Sequence, residues 1–259
     1  MSPLPFFSPC HPLVHGVLLK RALMKTKLML DILPQPDDTT CGPTCLHAVY
    51  RYFGDSITLN RVIDETTHLE TGGTLAVFLA CHALRRRYSA TIFTYNLQFF
   101  DPTWFYPPGQ DLSKKLAAQA EFKKNDSRLQ VATTGYLDFL GLGGQIYFED
   151  LTRSLIRRYL NRSVPIITGL SSTYLYRIIR EYGINGVDDD VRGKPAGHFV
   201  VLSGYDKEAR TVCVADPYRQ NPVSNEQTYT VNIDRVIGAI LLGVLTHDAN
   251  FLIVQPRKK

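Results

Sequence analysis

The chain has 259 residues, of which 44% are hydrophobic and 20% charged, a composition that can bury a sizeable core and excludes wholesale disorder, collagen-like and low-complexity architectures. The formal net charge is +5, but seven cations fall in residues 1–30 and 257–259, which leaves residues 31–256 at −2. A slightly acidic body speaks against a nucleic-acid-binding surface.

Length favours one elaborated domain over two. Residues 1–23 are apolar but broken by Pro3, Pro5, Pro9 and Pro12 and lack a positive start, so they make a poor signal peptide. Met24, followed by KTKLML, reads as the true start, with 1–23 a disordered or mis-assigned extension and 24–256 the domain. No stretch approaches the roughly 18 consecutive apolar residues of a membrane span, and the longest candidate, Val236–Leu245, reads as a buried helix. Five cysteines, at 10, 41, 45, 81 and 213, are too sparse for a disulfide scaffold and fit a reducing, cytoplasmic setting.

In chain order, residues 27–33 read as a short strand ending at Pro34. Cys45, Leu46, Val49, Tyr50 and Phe53 then fall at helical spacing, with Pro43 in the first turn and Gly54 as terminator, so a helix starts at or just after Cys41. Residues 74–87 predict a second helix and 90–95 a strand. Residues 100–145 form the least regular region, an insertion with a proline-rich turn, a charged helix over 112–124 and a glycine cluster. An amphipathic helix over 149–160 and a strand over 164–170 follow. Residues 171–196, tyrosine-rich and then acidic, read as a long surface loop or lid. HFVVLSGYD and TVCVADP are two strands joined by a polar turn, which is a hairpin signal. A strand over 228–231, a helix over 233–242 and a strand over 251–254 close the chain. Helices first and a mainly antiparallel sheet later indicate an α+β fold.

Cys41 stands where a helix begins, and the unpaired N–H groups and macrodipole there favour an anion. A lone cysteine is usually an inert buried residue, and position alone leaves that reading ahead. The hairpin changes the balance. A loop over Lys207–Ala209 would set Asp216 opposite Val200 and diagonal to His198, placing a carboxylate and an imidazole on one face, as a base and its orienting group require. A one-residue slip would part them. Taken singly, His198 is a strand-edge histidine and Asp216 a turn residue before Pro217. Gln35, a few residues upstream of Cys41, can donate its amide to a developing oxyanion together with the Cys41 N–H, or is simply a turn residue between prolines. Cys45, one turn in, belongs on the buried stripe. A Cys41–Cys45–His47 metal set fails because the third residue points away from the first two. His68 and His82 read as structural or solvated, and Arg85–Arg87 as a solvated helix end.

The ordered set QPDDTTCGPTC (Gln35–Cys45), GHFVVLSGYD and ADP resembles papain-like cysteine peptidases of the C39 or C39-like group, in its stand-alone bacterial form. The resemblance implies a papain-like α+β fold, with Cys41 as nucleophile, His198 as base and then acid, and Asp216 as the group that orients the imidazole. Gln35 and the Cys41 amide would form the oxyanion hole. It implies a peptide or protein substrate, no cofactor and no metal. The double-glycine specificity of transporter-fused C39 domains is not carried over, because this chain is longer than such domains and carries no transporter segment; Gly72–Gly73 and Gly143–Gly144 read as turns. The expected activity is cleavage of a peptide or isopeptide amide through a thioester. Acyl transfer or deamidation by the same residues, and a catalytically silent peptide-binding module, are the alternatives.

Overall fold

The structure, a computed structural model, describes residues 25–257 apart from Thr71, Ile184 and Asn225. The expectations for residues 1–23, for Met24 and for Cys10 lie outside the described residues. The elements are β1 (Lys25–Lys27), α1 (Cys41–Tyr52), α2 (Leu59–Glu65), α3 (Ala76–Arg85), β2 (Tyr88–Thr94), α4 (Leu112–Phe122), α5 (Ser127–Gly141), β3 (Gln145–Tyr147), α6 (Arg153–Leu160), β4 (Ile166–Ser171), α7 (Ser172–Tyr176), β5 (Glu181–Tyr182), β6 (Val187–Asp188), β7 (Gly197–Asp206), β8 (Thr211–Ala215), β9 (Thr228–Asn232), α8 (Ile233–Leu242) and β10 (Asn250–Pro256). Polar side chains start many of the helices: Thr58, Asp111, Asp126, Thr152 and Asn232 each accept from a first-turn N–H. Helix α3 is capped from a distance, because Leu75 has no side-chain acceptor and the buried Asp248 carboxylate takes the Ala76 N–H at 2.7 Å.

The main sheet runs β3-β2-β10-β4-β7-β8-β9, antiparallel except for the β2–β3 pair. β1 lies on β7 beyond the end of β4: β4 pairs with Gly197–Leu202 and β1 with Gly204–Asp206. Alternate strand residues face opposite ways. Phe199, Val201, Ala215 and Leu252 pack with α1, α3 and α5, whereas Val200, Leu202, Val214 and Phe251 pack with α6, α7 and α8. The α+β expectation therefore holds, with helices on both faces of the sheet.

Several boundaries differ from the sequence reading. The first strand is Lys25–Lys27 rather than 27–33; past it only the Leu28 N–H reaches β7, at Ser203 O, and the chain then runs as a loop to Thr40. The region 100–145 is more regular than expected, because the fifteen-residue α5 fills its second half. Its Gly135 lowers helix propensity yet is needed for packing, since a Cβ there would stand 2.6 Å from the Phe78 ring. The helix expected over 149–160 begins only at Arg153, where Thr152 caps it. Residues 171–196 are not one loop: they hold α7 and the β5–β6 hairpin. Val236–Leu245 is buried on one side only, for Leu241, Leu242 and Leu245 are exposed. The arginine triplet is not simply solvated, because Arg85 pairs with Asp138 and Arg86 grips Asp55 through two hydrogen bonds.

Candidate active site

Helix α1 is buried from Cys41 through Tyr50. It seats this closely because residue 42 is glycine: a Cβ there would meet Thr74 Cγ2 at 2.6 Å and Phe199 Cδ2 at 3.3 Å. The first helical N–H, that of Cys41, has no intrahelical acceptor. One turn later the Cys45 thiol donates to Phe199 O at 3.3 Å. Burial, then the proximity of Cys41 and Asp216, pushes the Cys45 thiol far above its ordinary range, so it stays protonated and inert.

The hairpin that carries His198 and Asp216 reaches the anticipated register by another route. Its turn holds four residues, 207–210, so Asp206 faces Thr211 and Gly204 faces Cys213, one step off the expected pairing. A bulge between Leu202 and Gly204 absorbs the step, and beyond it Leu202 faces Val214 and Val201 faces Ala215. His198 and Asp216 thereby share a face, and His198 Nε2 bonds to Asp216 Oδ1 at 2.8 Å, with side chains 9% and 0% exposed. The Cys41 thiol stands close enough to the ring to raise its pKa, and Nδ1 is the nitrogen that Asp216 leaves free. Cys41, His198 and Asp216 are thus brought together.

Burial pulls the His198 pKa down, but the hydrogen bonds and charges of Asp216 and Cys41 outweigh it and push the imidazole up to about 10. Asp216 is also opposed by burial, yet hydrogen bonds from His198, Tyr176 and Tyr229 hold it below the usual carboxylate range. Oδ1 takes the Tyr218 N–H at 2.9 Å besides His198, and Oδ2 takes the Tyr176 and Tyr229 hydroxyls at 2.7 Å each. The imidazole lies between two tyrosine rings, Tyr176 at 6.1 Å and the part-exposed Tyr218 at 6.4 Å, edge-on.

The sequence reading gave none of these tyrosines a place beside His198 and Asp216; Tyr176 was expected, with Tyr174 and Tyr182, to grip an extended peptide from the 171–196 lid. Tyr229 faces Val214 on β9, so extending the hairpin register by one strand would have found it; Tyr176 arrives from a helix that no strand pattern locates. Its buried hydroxyl is committed to Asp216.

Gln35 is held close to the same site by its main chain, whose N–H donates to Pro217 O at 2.9 Å. Its side-chain amide donates to Asp37 O at 2.9 Å, and Oε1 is buried without a partner. Beside this loop lies the β5–β6 hairpin. Partial burial of the Glu181 carboxyl, then the charges of Asp188 and Asp38, hold it above its ordinary range, which puts the hairpin acids near the loop that leads into Cys41. Asp189 is committed to the hairpin itself through Arg192, whose guanidinium also stacks on Tyr182 at 4.4 Å. Away from the site, His82 is structural, bonded to Tyr50 and Glu65, and His68 bonds to Ile63 O.

A cysteine at the start of a helix, facing a histidine and an aspartate on neighbouring strands, is the papain-like layout. Residues 142–236 match the model of the Peptidase_C39 like family, a segment that holds His198 and Asp216 but not Cys41. Among solved structures, a putative C39-like peptidase from Bacillus anthracis aligns at 13% identity and TM-score 0.45, covering 91% of this chain and 99% of the other. Xylellain, a cysteine protease from Xylella fastidiosa, aligns at 12% identity and TM-score 0.42, covering 91% and 87%. The peptidase domain of Streptococcus ComA, a bi-functional ABC transporter, aligns at 13% identity and TM-score 0.40, covering 88% and 99%. No functionally curated protein matches the chain. No helix among the described residues is long and apolar enough to cross a membrane.

Proposed function

We propose, from the match of residues 142–236 to the Peptidase_C39 like family, that the chain is a cysteine peptidase that hydrolyses a peptide or isopeptide amide with Cys41 as nucleophile. The observation that carries the reading is the His198–Asp216 hydrogen bond with the Cys41 thiol beside the same imidazole.

His198 takes the thiol proton through Nδ1, and the Cys41 sulfur attacks the carbonyl carbon. The oxyanion that forms is met by the Cys41 N–H and by the second amide hydrogen of Gln35, whose first is used on Asp37. As the C–N bond breaks, the imidazolium gives its proton to the leaving amine, and a thioester remains. His198 then deprotonates a water that attacks the thioester, releasing the acid and the thiol. Asp216 holds the imidazolium through both steps. The substrate is an extended peptide that passes between the Gln35–Cys41 loop and the β5–β6 hairpin, where Asp38, Glu181 and Asp188 favour a basic one. The four described cysteines are all free thiols, which suits work in a reducing, cytoplasmic compartment.

Incubation with a peptide library, read by product mass, tests the proposal. Products heavier than substrate by one water after summing the fragments support it. Amine adducts would replace hydrolysis by transfer, and a gain of one mass unit by deamidation. Intact peptides, with Cys41 alkylated by iodoacetamide no faster than the other cysteines, would leave a silent binding module.

A further inference from the structure

Asp216 is met by donors on both oxygens, and two of them are side chains with no part in the chemical steps. A carboxylate offers about four lone-pair sites. Here His198 Nε2 and the Tyr218 N–H fill those of Oδ1, and the Tyr176 and Tyr229 hydroxyls fill those of Oδ2. The geometry points to Tyr176 and Tyr229 as positioning residues, two phenols from α7 and β9 that fix Asp216 as a carboxylate with Oδ1 turned to His198. The inference rests on the reading of Cys41, His198 and Asp216 as the catalytic set.

Each part of the clamp is itself fixed. Both phenol rings are buried, so neither hydroxyl can leave without opening the core. Burial, then the charge of Asp216, pushes both phenols far above their ordinary range, so they remain protonated donors. A proton on Asp216 would have to displace one of four donors, and a buried carboxylate stripped of two of them would be pushed towards the neutral acid. The other titratable and charged groups around the cluster are His198 on β7, Cys41 and Cys45 on α1, and Arg235 on α8 behind Tyr229. Tyr176 also ends α7, after which Arg177 turns into the left-handed region and the chain leaves for the β5–β6 hairpin. The clamp therefore ties the root of that hairpin to the catalytic carboxylate.

The test uses Tyr176→Phe and Tyr229→Phe in the full chain, which keep each ring and delete one donor. Asp216 is titrated by the carboxyl carbon resonance of 13C-aspartate-labelled protein, assigned with Asp216→Asn, and Cys41 reactivity is followed by iodoacetamide from acid to alkaline pH. Loss of one hydrogen bond to a buried charge raises the Asp216 titration by about one pH unit in each variant. The acid limb of Cys41 alkylation moves up with it, while the alkaline limb, set by His198, stays in place. Merely loosened packing would lower reactivity at every pH and leave the acid limb where it was. An Asp216 titration unmoved in both variants overturns the clamp, and either variant alone suffices should the other fail to fold. A wild-type Cys41 no more reactive than the other thiols overturns the peptidase reading instead, and the carbon titration still decides the clamp.

Discussion

The Cys45 thiol and the Phe199 carbonyl are joined at 3.3 Å, so the helical turn behind Cys41 is bonded to the residue that follows His198. This contact braces the first turns of α1 against the strand that carries His198. Cys41→Ala is expected to abolish turnover, by about a thousandfold or more, with the fold intact. Cys45→Ala leaves Phe199 O without its donor and costs about 1–3 kcal/mol of stability with activity largely retained. Denaturation curves and product assays on both variants check this. Full loss of activity in a folded Cys45→Ala protein would move the nucleophile role to Cys45.

The four donors around Asp216 make its amide replacement informative. In Asp216→Asn the amide oxygen can face His198 and Tyr218 while the NH2 group faces the two phenol oxygens, which accept as well as donate. The fold should persist and kcat fall by about a hundredfold, whereas His198→Ala removes activation and the leaving-group proton and costs about a thousandfold or more. Equal inactivity of the two folded variants would show that the carboxylate does more than orient the ring.

The two shifted pKa values also set a pH dependence of stability. Asp216 is held below its ordinary value, so its contribution is present above about pH 4 and lost as pH falls through the folded value. His198 is raised to about 10, so its contribution is complete below about pH 6.5 and is lost as pH climbs toward 10. Urea unfolding at pH 5, 7 and 9 should show stability falling with pH in the wild type and a flatter profile in His198→Ala. Parallel profiles would remove the imidazolium–carboxylate pair as a source of stability.

The β5–β6 hairpin is held together by its own contacts, Asp189 with Arg192 and Arg192 on Tyr182, rather than by the catalytic residues. Shortening residues 186–192 should therefore raise the KM for basic peptides about tenfold, roughly the worth of one or two partly screened charge contacts, and leave Cys41 alkylation unchanged. Steady-state kinetics on matched basic and neutral peptides measure this. An unchanged ratio would mark the hairpin as a spacer.

Much of this arrangement could be read from residue order, because the pieces that carry it are periodic or punctuated. Gly54 closes α1, the polar turn after Asp206 announces the hairpin, and α8 was bounded at Ile233 and Leu242 by its apolar spacing. Helix α5 escaped because Thr133, Thr134 and Gly135 interrupt its apolar stripe, and the reason for Gly135 is a ring on another helix. The lid region escaped for a similar reason: Tyr176 is fixed by a carboxylate forty residues away in the chain, which no local pattern encodes. The register of the site was anticipated with a three-residue loop; the chain reaches it with a four-residue turn and a bulge.

That compensation makes the hairpin unequally tolerant of gained or lost residues. Deleting Ser203 would set Leu202 on Val214 directly beside Gly204 on Cys213, an unbroken ladder, so His198 and Asp216 would keep their common face, whereas a further residue added there would push Gly197–Leu202 along β8 and part the pair. The turn at 207–210 lies on the far side of the bulge, close to β1, and a tag or fluorophore inserted there would meet solvent before it met the site. A lineage with a three-residue turn and the same number of residues between Leu202 and Val214 would keep its triad only by losing the bulge, so in related chains of that length these two features should vary together.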